Sequence, residues 1–204
     1  MTACPYCWAV RRIVLPLVVI GVVAACSPST PASPSPSSSF VPAAEVPALT
    51  AAFTSPLMGY SVMYPTGWTP TAATEAWLPG ASNFWDDPVG DRLESATAGF
   101  RGTSQPLASG QTPEQWLEEY LAGSPSCGDP EQVPVADEMG TVDLNGCAGQ
   151  GRLGGRVFDV AVVSGDRGYN FTMEGEVDHA FFLAMLAAVT LEPASAVDSS
   201  SPPP

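Results

Sequence analysis

Few residues of this chain can do chemistry: five cysteines, a single histidine and one short acidic run. Cys26 follows Val23-Ala24-Ala25 and closes the apolar run Ile13 to Ala25, which itself follows Arg11 and Arg12. A basic pair, a short apolar segment and small residues before a cut are the marks of a secretory signal. A cysteine directly after the small residues is the acceptor that lipoprotein processing requires. The run holds thirteen residues, short of the roughly 20 that a membrane-spanning helix needs, so it makes a poor permanent anchor. Cleavage before Cys26 would leave a diacylglyceryl thioether on its sulfur and usually a third acyl chain on the new amino group. More than one chain in the bilayer gives stable attachment. The arginine pair faintly matches a twin-arginine export signal, but no polar residue precedes it in the usual pattern, so the general secretory route is expected.

The other cysteines divide into two pairs. Cys4-Pro5-Tyr6-Cys7 matches the glutaredoxin tetrapeptide, and such a dithiol is redox-active when it follows a strand and opens a helix. Here three residues precede it and the signal run follows, so both thiols should leave with the signal peptide. Cys127 and Cys147 remain, and in an exported chain such a pair reads as a disulfide. Closing a loop of about 20 residues stabilises by roughly 3 kcal/mol, mostly by restricting the unfolded chain. The rival reading is a thiolate nucleophile served by His179, but nothing in the sequence places them together, and an oxidising compartment works against a free thiol.

Other reactive groupings are thin. Asp86, Asp87, Asp91 and Glu94 form an acidic run that suggests calcium, yet Pro88 and the spacing depart from an EF-hand loop, so a solvated loop without metal is expected. His179 beside Asp178 reads as a cap-side residue, and no serine sits in a G-x-S-x-G elbow. No catalytic residue, cofactor or metal site is expected. Asn170-Phe171-Thr172 satisfies the glycosylation sequon but falls in an expected strand. The best candidate for recognition is Ala76-Trp77-Leu78-Pro79-Gly80-Ala81-Ser82-Asn83-Phe84-Trp85-Asp86. Trp77, Phe84 and Trp85 flank a Pro-Gly turn that could present flat rings to a partner or a sugar; the alternative is that the tryptophans fold back as a small core.

Composition sets the frame around these residues. All seven basic residues are arginine; removing Arg11 and Arg12 with residues 1–25 leaves five against 21 acids, a formal charge of −16. Nucleic acid is excluded as a partner, because phosphates need a basic stripe and would be repelled. Residues 26–48 are the lipidated cysteine and a Ser/Pro-rich spacer, which cannot bury enough apolar surface to order itself. Its hydroxyls could also accept O-linked sugars. Residues 194–204 read as a disordered tail, which leaves residues 49–193 for one domain with a real core.

Within that domain the periodicities alternate between strand and helix. Met58 to Tyr64 alternates and stops at Pro65-Thr66-Gly67; Leu93 to Arg101, Val133 to Ala136 and Thr141 to Leu144 are further strand candidates. Val157 to Val163 is apolar on nearly both faces and should be central, whereas Tyr169 to Glu174 alternates strictly, so one face should be solvated. Ser164-Gly165-Asp166-Arg167-Gly168 between them is hairpin chemistry. Thr112-Pro113-Glu114-Gln115 is a capping box with proline at the first helical position, followed by Trp116, Leu117, Tyr120 and Leu121 on one face. A second helix is expected from about Asp178 to Val189, apolar around most of its circumference.

Gly59-Tyr60-Ser61-Val62-Met63-Tyr64-Pro65-Thr66-Gly67-Trp68 resembles the Y-x-V-x-Y-P-x-G-W opening of PsbP-like lipoproteins, a superfamily that includes the mycobacterial LpqN/LpqT group. The order that follows is similar: strands, a helix near Thr112 to Trp116, more strands, and a C-terminal helix ending near Leu191-Glu192-Pro193. The resemblance implies an α/β/α sandwich around an antiparallel sheet, within the α+β class. It also implies a binding or accessory protein with no catalytic residues to carry over. The expectation is a membrane-anchored extracytoplasmic lipoprotein, held at the cell membrane by its lipid and serving an envelope protein partner or a glycan. The alternative is a carrier of a lipid or other small apolar ligand, which needs an apolar cavity between sheet and helix; third comes a hydrolase.

Overall fold

The computed structural model describes residues 46–81, 83–123, 130–143 and 152–198. Along these run β1 (Leu49–Thr54), β2 (Tyr60–Pro65), β3 (Thr69–Thr71), β4 (Asp91–Glu94), β5 (Ala98–Pro106) and α1 (Pro113–Gly123). Then follow β6 (Glu131–Val135), β7 (Glu138–Asp143), β8 (Arg156–Ser164), β9 (Arg167–Gly175), α2 (His179–Ala187) and β10 (Val189–Leu191). Seven strands form one sheet in the order β3-β4-β5-β9-β8-β7-β6, and β1-β2-β10 form a second; all pairings between these strands are antiparallel. The fold is α+β, an antiparallel sheet flanked by two helices.

β9 is the middle strand and pairs along Arg167–Gly175 with both β5 and β8. Its alternation splits the large sheet into two faces. Tyr169, Phe171 and Met173 enter the main core with Phe100 from β5 and Phe158, Val160 and Val162 from β8, all fully buried. Phe171 stacks on Phe100 at 5.7 Å and meets Tyr60 edge-on at 5.2 Å. Tyr60, Val62 and Tyr64 of β2 close this core from the small sheet, and Phe182, Met185 and Leu186 close it from α2. Asp178 caps α2 by accepting from the Phe181 amide at 2.8 Å.

The other face carries α1. Its capping box forms as the sequence requires: the Thr112 amide donates to Gln115 Oε1 at 2.9 Å, and the Gln115 amide to Thr112 Oγ1 at 3.3 Å. The turn Gly165-Asp166 joins β8 to β9 with Ser164 opposite Arg167.

Several expectations are corrected. Leu93 to Arg101 is two strands, β4 and β5, because Ser95 closes a tight turn with Ala98 through amide and side-chain bonds. The second helix stops at Ala187, and Val189 to Leu191 pair instead with β2. β9 has no solvated face, since Asn170 and Glu174 are buried and Thr172 is half-buried beneath α1 and the segment before β4. Pro193–Ser195 make a 3-10 turn, and Asp198 pairs with buried Arg167 at 2.6 Å. The disulfide expected between Cys127 and Cys147 is withdrawn: no disulfide bond is present among the described residues, and both cysteines lie outside them. On that side of the sheet β6, β7 and β8 are joined by backbone ladders and by side-chain bonds from Gln132 to Thr141 and from Ser164 to Glu138. Cys4, Cys7, Cys26 and the spacer also lie outside the described residues.

Candidate functional site

On the α1 face the seven-stranded sheet is polar. Adjacent strands place Arg92, Arg101, Thr172 and Asp159 on one rung, and Glu94, Gly99, Glu174 and Val157 on the next. Over this floor stand α1 and the segment from Trp77 to Gly90, leaving an open pocket of about 980 Å³. Its walls are aromatic. Trp116 and Tyr120, one turn apart on α1, stack at 5.3 Å, and Trp77 meets Tyr120 edge-on at 6.4 Å. Glycines make this close approach possible: a methyl at Gly168 would strike the Trp116 ring, one at Gly99 the Trp85 ring, and one at Gly90 the Arg101 guanidinium.

The floor is tied together by charge and hydrogen bonds. Asp159 Oδ1 accepts from Asn170 Nδ2 at 2.5 Å and Thr172 Oγ1 at 2.8 Å, and Oδ2 accepts from the Tyr120 hydroxyl at 3.1 Å. Burial holds the Asp159 carboxyl above the usual range, offset in part by those donors. Burial likewise raises Glu174, against the opposing Arg152 amide and guanidinium. Arg152 pairs with Glu94, Asp86 and Glu174 and lies 5.6 Å from the centre of the Trp85 ring, whose Nε1 donates to Glu94. Arg101 donates from Nη1 to Asn83 Oδ1 at 2.5 Å, and burial lowers its pKa.

The aromatic trio is divided by the structure. All three line the pocket, but Trp77 is 4% exposed, inside a second core with Trp116, Val89 and Ala161, while Phe84 is 74% exposed. Trp85 is half-buried. The four acids disperse. Asp91 is wholly buried and accepts from the Ala73 amide at 2.7 Å on the main-core side; Asp87 accepts from the Phe84 amide; Asp86 and Glu94 pair with arginines. No group of three or more His, Cys, Asp or Glu able to hold a metal occurs among the described residues. His179 opens α2 and stacks near Phe158, away from the pocket. Asn170, the sequon residue, is 2% exposed and bonded to Asp159, so its amide is closed to a glycan.

No protein-family model matches the sequence, and no curated protein matches it. A crystal structure from Bacteroides thetaiotaomicron VPI-5482 is similar at a TM-score of 0.46 and 14% identity, over 71% of this chain and 49% of that one. The chain thus spans about half the length of that structure.

The sequence marks none of Arg101, Gln105, Asp159 and Glu174, and marks Asn170 and Thr172 only as a sequon. The available signal was the strict alternation of Tyr169 to Glu174 together with Asp159 inside the apolar run Val157 to Val163. A polar face on the middle strand of a covered sheet is a cleft floor.

The raised carboxyls fix a pH dependence. Asp91, Asp159 and Glu174 bind protons more tightly folded than unfolded, so stability falls as pH rises from their unfolded values near about 4 toward their raised folded values. Exposed Glu114, held low by its own amide and Thr112, acts oppositely and only in more acidic solution. The melting temperature is therefore expected to decline as pH rises above about 4. Asp159→Asn should flatten the profile; a melting temperature that climbs steadily across this range would refute the assignment.

Proposed function

We propose that this chain is a lipid-anchored, extracytoplasmic binding module of the cell envelope, non-enzymatic, with the pocket beside α1 as its binding site. The observation that carries this reading is the pocket itself. Aromatic walls with a few placed polar groups are the usual form of a small-molecule site. Among the described residues no histidine or thiol joins the side chains it gathers, and the hydroxyls that touch its central carboxyl are spent on holding it in place. Asp159 is satisfied by three donors, and the sole histidine stacks against the main core instead. Those features support binding over catalysis.

The anchor rests on Val23-Ala24-Ala25-Cys26 and the spacer that follows. No described helix is long and apolar enough to cross a membrane. A PsbP-like scaffold is supported by the way its opening motif is used: Tyr60, Val62 and Tyr64 enter the core, and Trp68 after the turn meets Phe181 at 5.8 Å. A site for a purely apolar cargo is less favoured. Phe158, Phe182, Met185 and Leu186 fill the space between large sheet and α2, and the pocket floor is polar.

The test uses the full chain in its own host. Wild type should fractionate with membranes and, with a photo-crosslinker at Phe84, capture a discrete envelope component. Cys26→Ser should move the protein out of the membrane fraction or stall its processing. Quantitative membrane retention of that variant would refute the anchor, and undiminished capture with the pocket obstructed by Gly123→Trp, where an added Cβ meets nothing within 4 Å, would refute the site.

A further inference from the structure

Arg101 is a cation in an unusual position for this chain. It is 2% exposed, yet it takes part in none of the ion pairs formed among the described residues. Asp87, Asp91 and Asp159 act on it through space, but none is paired with it, and Asp159, the acid on its rung, stands two strands away, about 10 Å between backbones at the usual strand spacing. Its Nη1 is spent on Asn83, while Nε and Nη2, the two donors on one edge of the fork, have no partner. Removing a charge from water without pairing it is expensive, and buried guanidinium donors are normally satisfied. Arg152, the other arginine lining the pocket, is by contrast already paired with three acids.

We infer that the ligand of this pocket carries a carboxylate that pairs with the Arg101 guanidinium and a flat ring that lies against Phe84 and Trp85. The inference rests on the pocket being the binding site and adds the chemical class of what enters it. A guanidinium edge matches a carboxylate or a phosphate with two parallel hydrogen bonds. The surroundings select the first. Glu119, Asp159 and Glu174 line the same pocket, and the whole chain is strongly acidic, so a dianion would meet repulsion that a monoanion feels half as much. Phe84, exposed to 74%, offers an unused ring face at the mouth, where a cyclic or aromatic body can stack. The buried Gln105 Oε1, also without a partner, provides an acceptor for a donor group on the same ligand.

Three probes that share one ring separate the terms: 4-fluorobenzoate, 4-fluorophenyl phosphate and 4-fluorobenzyl alcohol, titrated against the full chain by fluorine NMR. The carboxylate should bind about tenfold or more tightly than the alcohol, as expected for a paired, desolvated charge. Arg101→Lys keeps the charge but loses the fork and should remove most of that preference; Asn83→Ala, which frees Nη1 and also gives up the bond from Asn83 to Thr103, should erode it without unfolding the protein. Phe84→Ala should weaken carboxylate and alcohol alike. If carboxylate and alcohol bind equally, or Arg101→Lys leaves the preference intact, the role of Arg101 is overturned while the pocket stands. Tighter binding of the phosphate overturns the choice of carboxylate. No binding of any ring compound overturns the inference and the pocket together.

Discussion

Trp77→Ala is expected to lower stability by about 3–5 kcal/mol, the usual cost of deleting a buried large aromatic. In a domain of this size that is a fall in melting temperature of roughly 10 °C or more. The indole is 4% exposed, meets Tyr120 edge-on, and donates from Nε1 to the Ala81 carbonyl at 3.2 Å. Its removal therefore opens a cavity in the second core and unties the turn after it. Phe84, seven positions on in the same segment, is mostly in solvent, so Phe84→Ala should leave the stability within about 0.5 kcal/mol of wild type. Paired thermal melts of the two variants decide the matter. Equal, small shifts would mean that Trp77 belongs to the recognition surface with Phe84, and that the second core is closed by α1 alone.

That contrast also shows where the sequence was legible. Ala76 to Asp86 announces a turn with three aromatics, but whether a ring points in or out depends on what covers it, here α1. Local rules worked where bonds are local. The capping box at Thr112, the hairpin turn at Gly165 and the apolar strand at Val157 to Val163 each follow from a few adjacent residues and appear as expected. They failed where tertiary pairing decides. Val189 to Leu191 continue an apolar helical pattern, yet become a strand because β2 presents an open edge beside them. β1, built largely of Ala and Thr, carries little strand signal and forms by pairing with β2. Asn170, Thr172 and Glu174 look solvated because alternation reports two unlike faces without saying that the polar one is roofed. The pocket is the largest feature missed, and it is missed for that reason. Arg101, in an ordinary alternating strand, becomes distinctive only once its partners are counted.

Gly175→Ala is the second substitution expected to have a large effect, about 3 kcal/mol or more, because strain and collision act together there. Gly175 ends β9 at φ +103°, a conformation that L side chains rarely adopt. A methyl at this position would lie 2.1 Å from the Thr97 carbonyl oxygen and 2.9 Å from the Ala98 Cα. Both are backbone atoms, and the same Thr97 carbonyl accepts from the Glu176 amide at 2.8 Å, so no flexible side chain can yield. β9 would have to part from β5 at this end. Gly67→Ala supplies the control. It too has positive φ, +95°, but a methyl there meets nothing within 4 Å, so it should cost only the conformational share, about 1–2 kcal/mol. The difference between their urea midpoints, read at equal m-values, isolates the collision. Glu174 sits one residue before the displaced glycine and binds the Arg152 amide at 2.7 Å, so Gly175→Ala should also loosen Arg152 from the Trp85 ring. The altered tryptophan emission should appear below the unfolding transition. A Gly175→Ala protein as stable as the Gly67→Ala control would show that the β5–β9 junction is free to relax and that the pocket floor is not fixed from this end.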